Sequence, residues 1–228
     1  MKDDKRRPRP ARQKVQKGPS AILAGNELRL KRTKKASARR PTKSDLLFQF
    51  KITLLHLTPA IWRRIQVFDC TLAYLHEYIQ SAFGWEDYHL HMFEIGGVEY
   101  SRPAPDGDDF DMEFEDESQV VLSALLPKGS RKKRWLYEYD FGDDWRHEVL
   151  FEGFQPRDPK AKYPLCLEGA RACPPEDCGG PWGYADLLEA VQNPVNERHE
   201  ELLEWVGDQF DPEKFDPKKA TREMSKVK

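Results

Sequence analysis

The segment YDFGDDWRHEV, residues 139–149, gathers three aspartates, a histidine and an arginine within eleven residues. Carboxylates and an imidazole that lie close together can bind a cation, hold a substrate amine or exchange protons. The same residue types are also typical of a polar hairpin turn, in which Asp side chains accept hydrogen bonds from nearby backbone N–H groups. Both interpretations stay open, and the candidate binding residues in this segment are Asp140, Asp143, Asp144, Trp145 and His147.

Two histidines stand at alternate positions in HLHMFEI, residues 89–95. If this segment is a strand, His89 and His91 share one face, with their Cα atoms about 6.6 Å apart. Both imidazoles could then reach one divalent metal ion such as zinc, and His147 is a third imidazole available to it. The alternative is that the histidines form ordinary hydrogen bonds at the edge of the sheet.

The segment CLEGARACPPEDCGGPWGY, residues 166–184, holds three of the four cysteines. Thiolates are good zinc ligands, which makes Cys166, Cys173 and Cys178 candidate metal ligands, although structural zinc usually takes four ligands from two close pairs. The paired prolines and glycines favour another structure, a rigid loop in which Cys173 packs as a small buried residue. In this segment the candidate binding residues are Cys173, Glu176, Asp177 and Trp182.

The charge of the chain is unevenly divided. Residues 1–45 carry 16 Lys/Arg against 4 Asp/Glu and no aromatic residue, whereas the rest of the chain carries 21 against 35. Such a segment buries too little apolar surface to offset the entropy of ordering, so we expect a disordered basic tail over residues 1–45. The lysines and arginines of this tail suit nonspecific contacts with nucleic-acid phosphates. The alternative is a solvating extension without such a role, because the acidic remainder of the chain would repel a polyanion.

The chain contains no run of about 18 apolar residues that could span a bilayer. The basic N-terminal segment is not followed by the apolar stretch of a secretory signal. We therefore expect a cytoplasmic protein without a membrane partner. Four cysteines in 228 residues are too few for a disulfide scaffold, which fits that location.

Three segment pairs predict β-hairpins. LLFQFKITLLHLTP and IWRRIQV form the first, HLHMFEIGGVEYS turns at its two glycines to form the second, and KRWLYEYDFG with WRHEVLFEGF forms the third. A helix is predicted after the first hairpin, with Thr71 as its N-cap and Gly84 at its end. In the third hairpin, alternation places Trp145 and His147 on one face with the apolar residues that follow.

After the third hairpin we expect a long loop over residues 155–181 and then two short helices separated at Asn193-Pro194. The predicted domains are the basic tail 1–45, a single domain over residues 46–215 and a frayed C-terminal tail over residues 216–228. The fold class is α+β, with a mixed or antiparallel sheet built from hairpins, a helix after the first hairpin and a C-terminal helical pair.

Four stretches in order resemble one known family: FQFKITLLHLTPAIWRRIQV, HEYIQSAFGWEDYHLHMFEIGGVEY, YEYDFGDDWRHEV and YPLCLEGARACPPEDCGGPWGYADLLEAV. They are similar to the plasmid pRiA4b ORF-3-like family over about residues 46–215. The resemblance implies an α+β fold and a family without an established biochemical activity. Its signature positions carry no assigned catalytic role and are Asp140, Gly142, Trp145, His147, Cys173, Pro174, Pro175, Glu176, Asp177, Gly179 and Gly180.

Some relatives in that family are labelled transposon resolvases, but this chain shows neither a serine-nucleophile core nor an appended helix-turn-helix. The first functional hypothesis is a non-enzymatic binding or accessory module, associated with mobile elements or nucleic acid, with a protein as a further partner. The alternative is a metal-dependent enzyme that uses Asp140, Asp144 and His147 together with His89 and His91.

The turn at DFGDDWRH and the loop CPPEDCGG are expected to meet in space. Both are polar and rigidly punctuated, and the loop leaves the strand that carries His147. In that arrangement Trp145 or Trp182 would form an apolar wall. His147 would lie at the rim, where neighbouring carboxylates should favour a charged imidazolium.

Overall fold

The computed structural model describes residues 46–103, 114–207 and 210–228. The predicted tail over residues 1–45 and most of the acidic segment near residue 110 lie outside the described residues. In the part of the chain that is described, no helix combines the length and the apolar character needed to cross a bilayer.

The described strands form one sheet in the order β5-β4-β3-β6-β7-β1-β2-β8. All neighbouring strands are antiparallel except β4 and β5, which are parallel, so the predicted α+β class with a mixed sheet is confirmed. The strands are β1 Leu46–Leu54, β2 Ile61–Val67, β3 His91–Ile95, β4 Val98–Ser101, β5 Glu115–Asp116, β6 Lys133–Tyr139, β7 Trp145–Pro156 and β8 Leu165–Ala170.

The described helices are α1 Leu72–Phe83, α2 Leu122–Leu125, α3 Gly180–Gln192, α4 His199–Val206 and α5 Pro217–Met224, with a 3₁₀ turn at Glu117–Gln119. The boundaries of α1 are those predicted. Thr71 Oγ1 accepts a hydrogen bond from the Tyr74 amide at 3.4 Å, and Gly84 ends the helix in the left-handed conformation, with φ 101°. The helical pair predicted after the loop is present as α3 and α4.

The hydrophobic core lies between the sheet and the helices on one of its faces. The predicted alternation in β7 is confirmed, because Trp145, His147, Val149 and Phe151 are all fully buried. The opposite face of the sheet is mostly polar. It carries ion pairs between neighbouring strands, and in one of them Arg64 Nε lies 2.7 Å from Glu152 Oε2.

Two predictions about the C-terminal third are wrong. The expected loop over residues 155–181 contains β8, which pairs with β2, while β7 continues to Pro156. Glycine, cysteine and glutamate make LCLEGA a weak strand pattern, and pairing with β2 overrides it.

The segment 216–228 is helical rather than frayed. Asp216 caps α5 by accepting a hydrogen bond from the Lys218 amide at 2.8 Å, and Met224 is fully buried. Thr221 Oγ1 also accepts a hydrogen bond from the Cys166 amide in β8 at 3.0 Å. Only Ala220 and Met224 are buried in this charged helix, so its sequence pattern alone contains too few apolar positions to be recognised.

Candidate functional site

The hairpin turn, residues 140–144, joins β6 to β7. Asp140 Oδ1 accepts hydrogen bonds from the amides of Gly142 at 3.0 Å and Asp143 at 3.3 Å, which is the turn capping considered from sequence. Asp144 forms an ion pair with Arg146 at 2.7 Å on the surface. Only one oxygen of Asp140 is used in the turn, so its Oδ2 remains available to other groups.

The proline-rich loop, residues 171–179, lies against this turn. The amide of Gly179 donates a 3.0 Å hydrogen bond to Asp143 Oδ2. On the other side of the loop, Trp85 Nε1 donates to the Pro174 carbonyl at 3.1 Å. The prediction that the turn and the loop meet is therefore confirmed.

Four side chains form what we call the His89 cluster: His89, Asp140, Glu176 and Asp177. His89 Nε2 lies 3.2 Å from Asp177 Oδ1, 3.6 Å from Asp140 Oδ2 and 3.8 Å from Glu176 Oε2. This nitrogen is enclosed by protein but makes no hydrogen bond of acceptable geometry within the described residues. The ligand atoms of His89, Asp140 and Asp177 lie within 4.8 Å of one another, so these residues could hold a metal ion.

Glu176 is the best anchored carboxylate of the cluster. Its Oε1 accepts hydrogen bonds from the Glu86 amide at 2.9 Å and from the Tyr139 hydroxyl at 3.1 Å. Burial raises the pKa of the Glu176 carboxyl above its ordinary value. The two hydrogen bonds hold the Glu176 side chain in position, with Oε2 towards His89.

His91 does not share a site with His89. The strand β3 begins at His91, so His89 precedes the alternating segment and the two imidazoles occupy different groups. His91 Nε2 lies 2.8 Å from Oε2 of the buried Glu117, and its ring stacks on His76 with centroids 3.4 Å apart. The two histidines of the HLH pattern therefore do not converge on one ion, which was one of the two possibilities considered from sequence.

His76 extends this buried group in a way that sequence reasoning missed. Its Nδ1 lies 2.9 Å from the Tyr137 hydroxyl, and its Nε2 lies 2.9 Å from Asp87 Oδ1. Burial lowers the pKa of His76 to about 4. Each nitrogen of His76 has a partner, which is typical of a neutral histidine within a core network. In the sequence, the only indication of this role was that His76 stands beside the apolar stripe of α1.

His147 belongs to the core rather than to a charged rim. It is fully buried, its ring meets those of Phe83 and Trp85 edge-on, and its Nδ1 lies 3.3 Å from the Tyr137 carbonyl. Burial lowers the pKa of His147 to about 3, so the expectation of a charged imidazolium is wrong.

Neither of the two tryptophans expected to form an apolar wall beside the site does so. Trp145 is fully buried, whereas Trp182 is 86% exposed at the beginning of α3. Trp85 has the role instead, because its ring lies between His147 and the proline-rich loop, with its indole nitrogen bonded to Pro174. The sequence signal for Trp85 was weak: it follows the glycine that ends a helix and, although it lies in one of the family-like stretches, it is not among the candidate binding residues.

The cysteines do not form the three-thiol site considered from sequence. Among the described residues, no group with metal-ligand spacing contains a cysteine, and all four thiols are free. Burial raises the pKa of Cys166 to about 11 and that of Cys178 to about 12. Cys173 packs against the hydrophobic core, which is the alternative proposed for it.

A cavity of about 740 Å³ opens beside the proline-rich loop. Its walls come from the end of α1, the loop and the segment that leads into α5. Glu176 links it to the His89 cluster, because this residue belongs to both. The lining residues that matter for its chemistry are Arg63, Phe83, Trp85, Pro174, Glu176 and Phe215.

Three comparisons with known proteins agree with this architecture. The model of the plasmid pRiA4b ORF-3-like protein family matches residues 47–219. The uncharacterized protein y4hQ of Sinorhizobium fredii (strain NBRC 101917 / NGR234) is 39% identical over 160 residues, which cover 70% of this chain and 80% of that protein. The crystal structure of MM3350, a protein of unknown function from Methanosarcina mazei Go1, is similar with a TM-score of 0.69 and 38% identity, covering 77% of this chain and 98% of that one.

The family match spans most of the chain and includes the hairpin turn, the proline-rich loop and the four residues of the His89 cluster. The chain belongs to the plasmid pRiA4b ORF-3-like family.

Proposed function

We propose that this protein is a non-enzymatic binding module that holds a divalent cation at the His89 cluster, where the hairpin turn and the proline-rich loop meet. One observation carries the proposal. The enclosed Nε2 of His89 has no hydrogen bond within the described residues, yet carboxylate oxygens of Asp140, Glu176 and Asp177 lie within 3.8 Å of it. The ligand oxygens of Asp140 and Asp177 also lie within 4.8 Å of each other, where two carboxylates repel, and a bound cation removes the repulsion.

The donor set indicates which cation fits. One imidazole nitrogen with carboxylate oxygens suits Zn²⁺ or Mn²⁺ better than the all-oxygen shell that Ca²⁺ prefers. With metal–ligand bonds of about 2.1 Å, neighbouring ligand atoms stand roughly 3 to 3.5 Å apart. The distances from His89 Nε2 to Asp177 Oδ1, 3.2 Å, and to Asp140 Oδ2, 3.6 Å, need only small side-chain rotations to match that geometry.

The surroundings favour binding over catalysis. The metal-dependent enzyme considered from sequence needs His147, His91 and Asp144 beside the ion, but each of them has other contacts. His147 is in the core, His91 pairs with Glu117, and Asp144 pairs with Arg146. The Cys166 and Cys178 thiols, whose pKa values burial raises to about 11 and about 12, are poor nucleophiles at neutral pH.

The proposed partners are macromolecules. The basic segment 1–45 would contact nucleic-acid phosphates, and a protein would use Trp182 as an anchor. Trp182 supports the second role because it is 86% exposed and lies five residues after Asp177 of the His89 cluster in the sequence.

Metal titration of the purified full-length chain tests the cation site. After treatment with a chelator, the wild-type protein is expected to bind one Zn²⁺ or Mn²⁺ in isothermal titration calorimetry. Asp177→Asn removes one charged ligand, and asparagine tolerates the positive φ of 55° at this position. We expect this variant and His89→Gln to bind the ion at least about tenfold more weakly.

Asp186→Asn is the matched control, since Asp186 is an exposed aspartate on α3 outside the cluster. Its affinity for the ion should equal that of the wild type. A wild-type protein that binds neither metal at one equivalent, or an Asp177→Asn variant that binds as tightly as the wild type, would overturn the proposal.

A further inference from the structure

Arg63 is a buried cation without an acidic partner. It stands in β2 with 1% of its surface exposed. Its Nε donates to the Ala82 carbonyl at 3.0 Å, and its Nη1 donates to the carbonyls of Trp62 at 2.8 Å and Ala170 at 2.9 Å. All its hydrogen-bond partners among the described residues are thus neutral, although a buried charge is normally paired.

The guanidinium group is held in one orientation by two aromatic rings. Its central carbon lies 4.8 Å from the ring centroid of Phe83 and 3.9 Å from that of Phe215. These contacts come from opposite ends of the domain sequence, from α1 and from the segment before α5. Stacking of this kind fixes the plane in which the remaining N–H groups point.

Two donors of Arg63 remain unused. A guanidinium group has five N–H bonds, and the Nε and Nη1 atoms direct theirs to the three carbonyls. Nη2 has no hydrogen bond within the described residues and is not among the polar atoms that the protein encloses completely. Arg63 also lines the 740 Å³ cavity, which makes that space the available source of an acceptor for the unused donors.

We propose that this cavity binds a small organic monoanion, whose carboxylate accepts hydrogen bonds from Arg63 Nη2 while its apolar body lies against Phe83, Trp85 and Phe215. The cavity volume of about 740 Å³ is in the range of small-molecule sites, which combine apolar walls with a few polar anchors. The contact is end-on through one nitrogen, because the other donors of the guanidinium are already occupied.

The charges around the cavity decide between classes of anion. Five acidic residues also line it, Glu86, Glu176, Asp211, Asp216 and Glu223, and the basic side chains other than Arg63 are Lys214 and Lys219. This mostly acidic rim repels a dianion such as phosphate more strongly than a monoanion. Arg63 has no acidic hydrogen-bond partner that would offset its burial, and burial lowers its pKa to about 10.

The inference goes beyond the cation site and does not depend on it, because no atom of the His89 cluster contacts the Arg63 guanidinium in any hydrogen bond or ion pair of the described residues. A protein that binds no metal could still bind the organic anion, and the reverse also holds. The two proposals are therefore tested separately.

Ligand-observed NMR on the full-length protein, with benzoate and benzamide as probes, tests the inference. These probes have nearly the same shape and differ in charge. The wild type is expected to bind benzoate at least about tenfold more tightly than benzamide, because a hydrogen bond between charged groups replaces a neutral one. Inorganic phosphate is the third probe and should not displace benzoate.

Arg63→Gln is expected to abolish the preference, so that benzoate and benzamide bind equally. Lys214→Gln, which removes a charge elsewhere on the lining, should change benzoate affinity less than about threefold. The inference is overturned if wild-type protein binds benzamide as well as benzoate, binds no benzoate at about 20 mM, or if Arg63→Gln keeps the preference. If Arg63→Gln does not fold, the relative affinity of the wild type for benzoate and benzamide still tests the inference.

Discussion

The amide of Gly179 donates a 3.0 Å hydrogen bond to Oδ2 of Asp143, and this bond joins two segments 36 positions apart. The next residue, Gly180, packs directly on the same turn, because a Cβ atom there would lie 2.3 Å from the Asp143 carbonyl oxygen. The hairpin turn and the proline-rich loop therefore touch through their backbones. This contact places Asp140 of the turn beside Asp177 of the loop.

Gly180→Ala is expected to destabilise the protein more than an ordinary glycine substitution. Gly97→Ala is the matched control, since Gly97 also has a positive φ, 81°, but a Cβ atom there would have no neighbour within 4 Å. The control should cost about 1 kcal/mol of unfolding free energy from backbone strain alone. Gly180→Ala adds a steric clash and should cost roughly 2 kcal/mol more. Urea unfolding measures both, and equal costs would contradict the close contact.

Protein stability should fall on mild acidification because two histidines are buried in the neutral form. Burial lowers the pKa of His147 to about 3 and that of His76 to about 4, below the ordinary value near 6.5. Below pH 6.5 the unfolded chain binds protons that the folded chain does not, so this stability is present above that pH and is lost as the pH falls. Each histidine contributes a slope of up to about 1.4 kcal/mol per pH unit.

The measurement is urea unfolding at several pH values between 6.5 and about 5, above the range in which most carboxylates titrate. His147→Gln should reduce the slope by that of one histidine. His56→Asn is the control, since His56 is exposed and asparagine tolerates its positive φ of 65°. A wild-type stability that does not change over this range would contradict the prediction.

The cysteine thiols should react slowly in the folded protein. Burial raises the pKa of Cys166 to about 11 and that of Cys178 to about 12, and it also raises the pKa values of Cys70 and Cys173. Since only the thiolate reacts, alkylation by iodoacetamide at pH 8 should be at least about a hundredfold slower than that of glutathione. The same protein in urea should react rapidly at all four sites. One thiol that reacts as fast as glutathione before unfolding would refute this prediction.

The N-terminal segment should account for any affinity for nucleic acid. Residues 1–45 hold 16 of the 37 Lys/Arg, whereas the remaining chain is net acidic. A chain that begins at Ser44 should therefore lose both DNA affinity and its dependence on salt concentration. Fluorescence anisotropy with duplex DNA at two salt concentrations measures both quantities. A shortened chain that keeps them would show that the domain itself binds DNA.

The sequence determined the features of this protein that depend on local periodicity and chain geometry. The alternation in β7 predicted that Trp145 and His147 share a buried face, because side chains of a strand alternate between its two sides. Thr71 and Gly84 predicted the limits of α1 through capping and the left-handed conformation of glycine. The prolines and paired glycines after Cys173 also predicted a rigid loop that reaches the hairpin turn.

Tertiary structure decided which side chains are placed to bind a ligand. His89 and His91 look equivalent in sequence, but β3 begins only at His91, so one joins the carboxylates of the turn and loop while the other stacks on His76. Arg63 looks like any charged residue of a half-exposed strand. Its unusual state arises because α1 and the segment before α5 enclose it without supplying a carboxylate. Burial and charge pairing depend on contacts between distant segments, and no local pattern encodes those contacts.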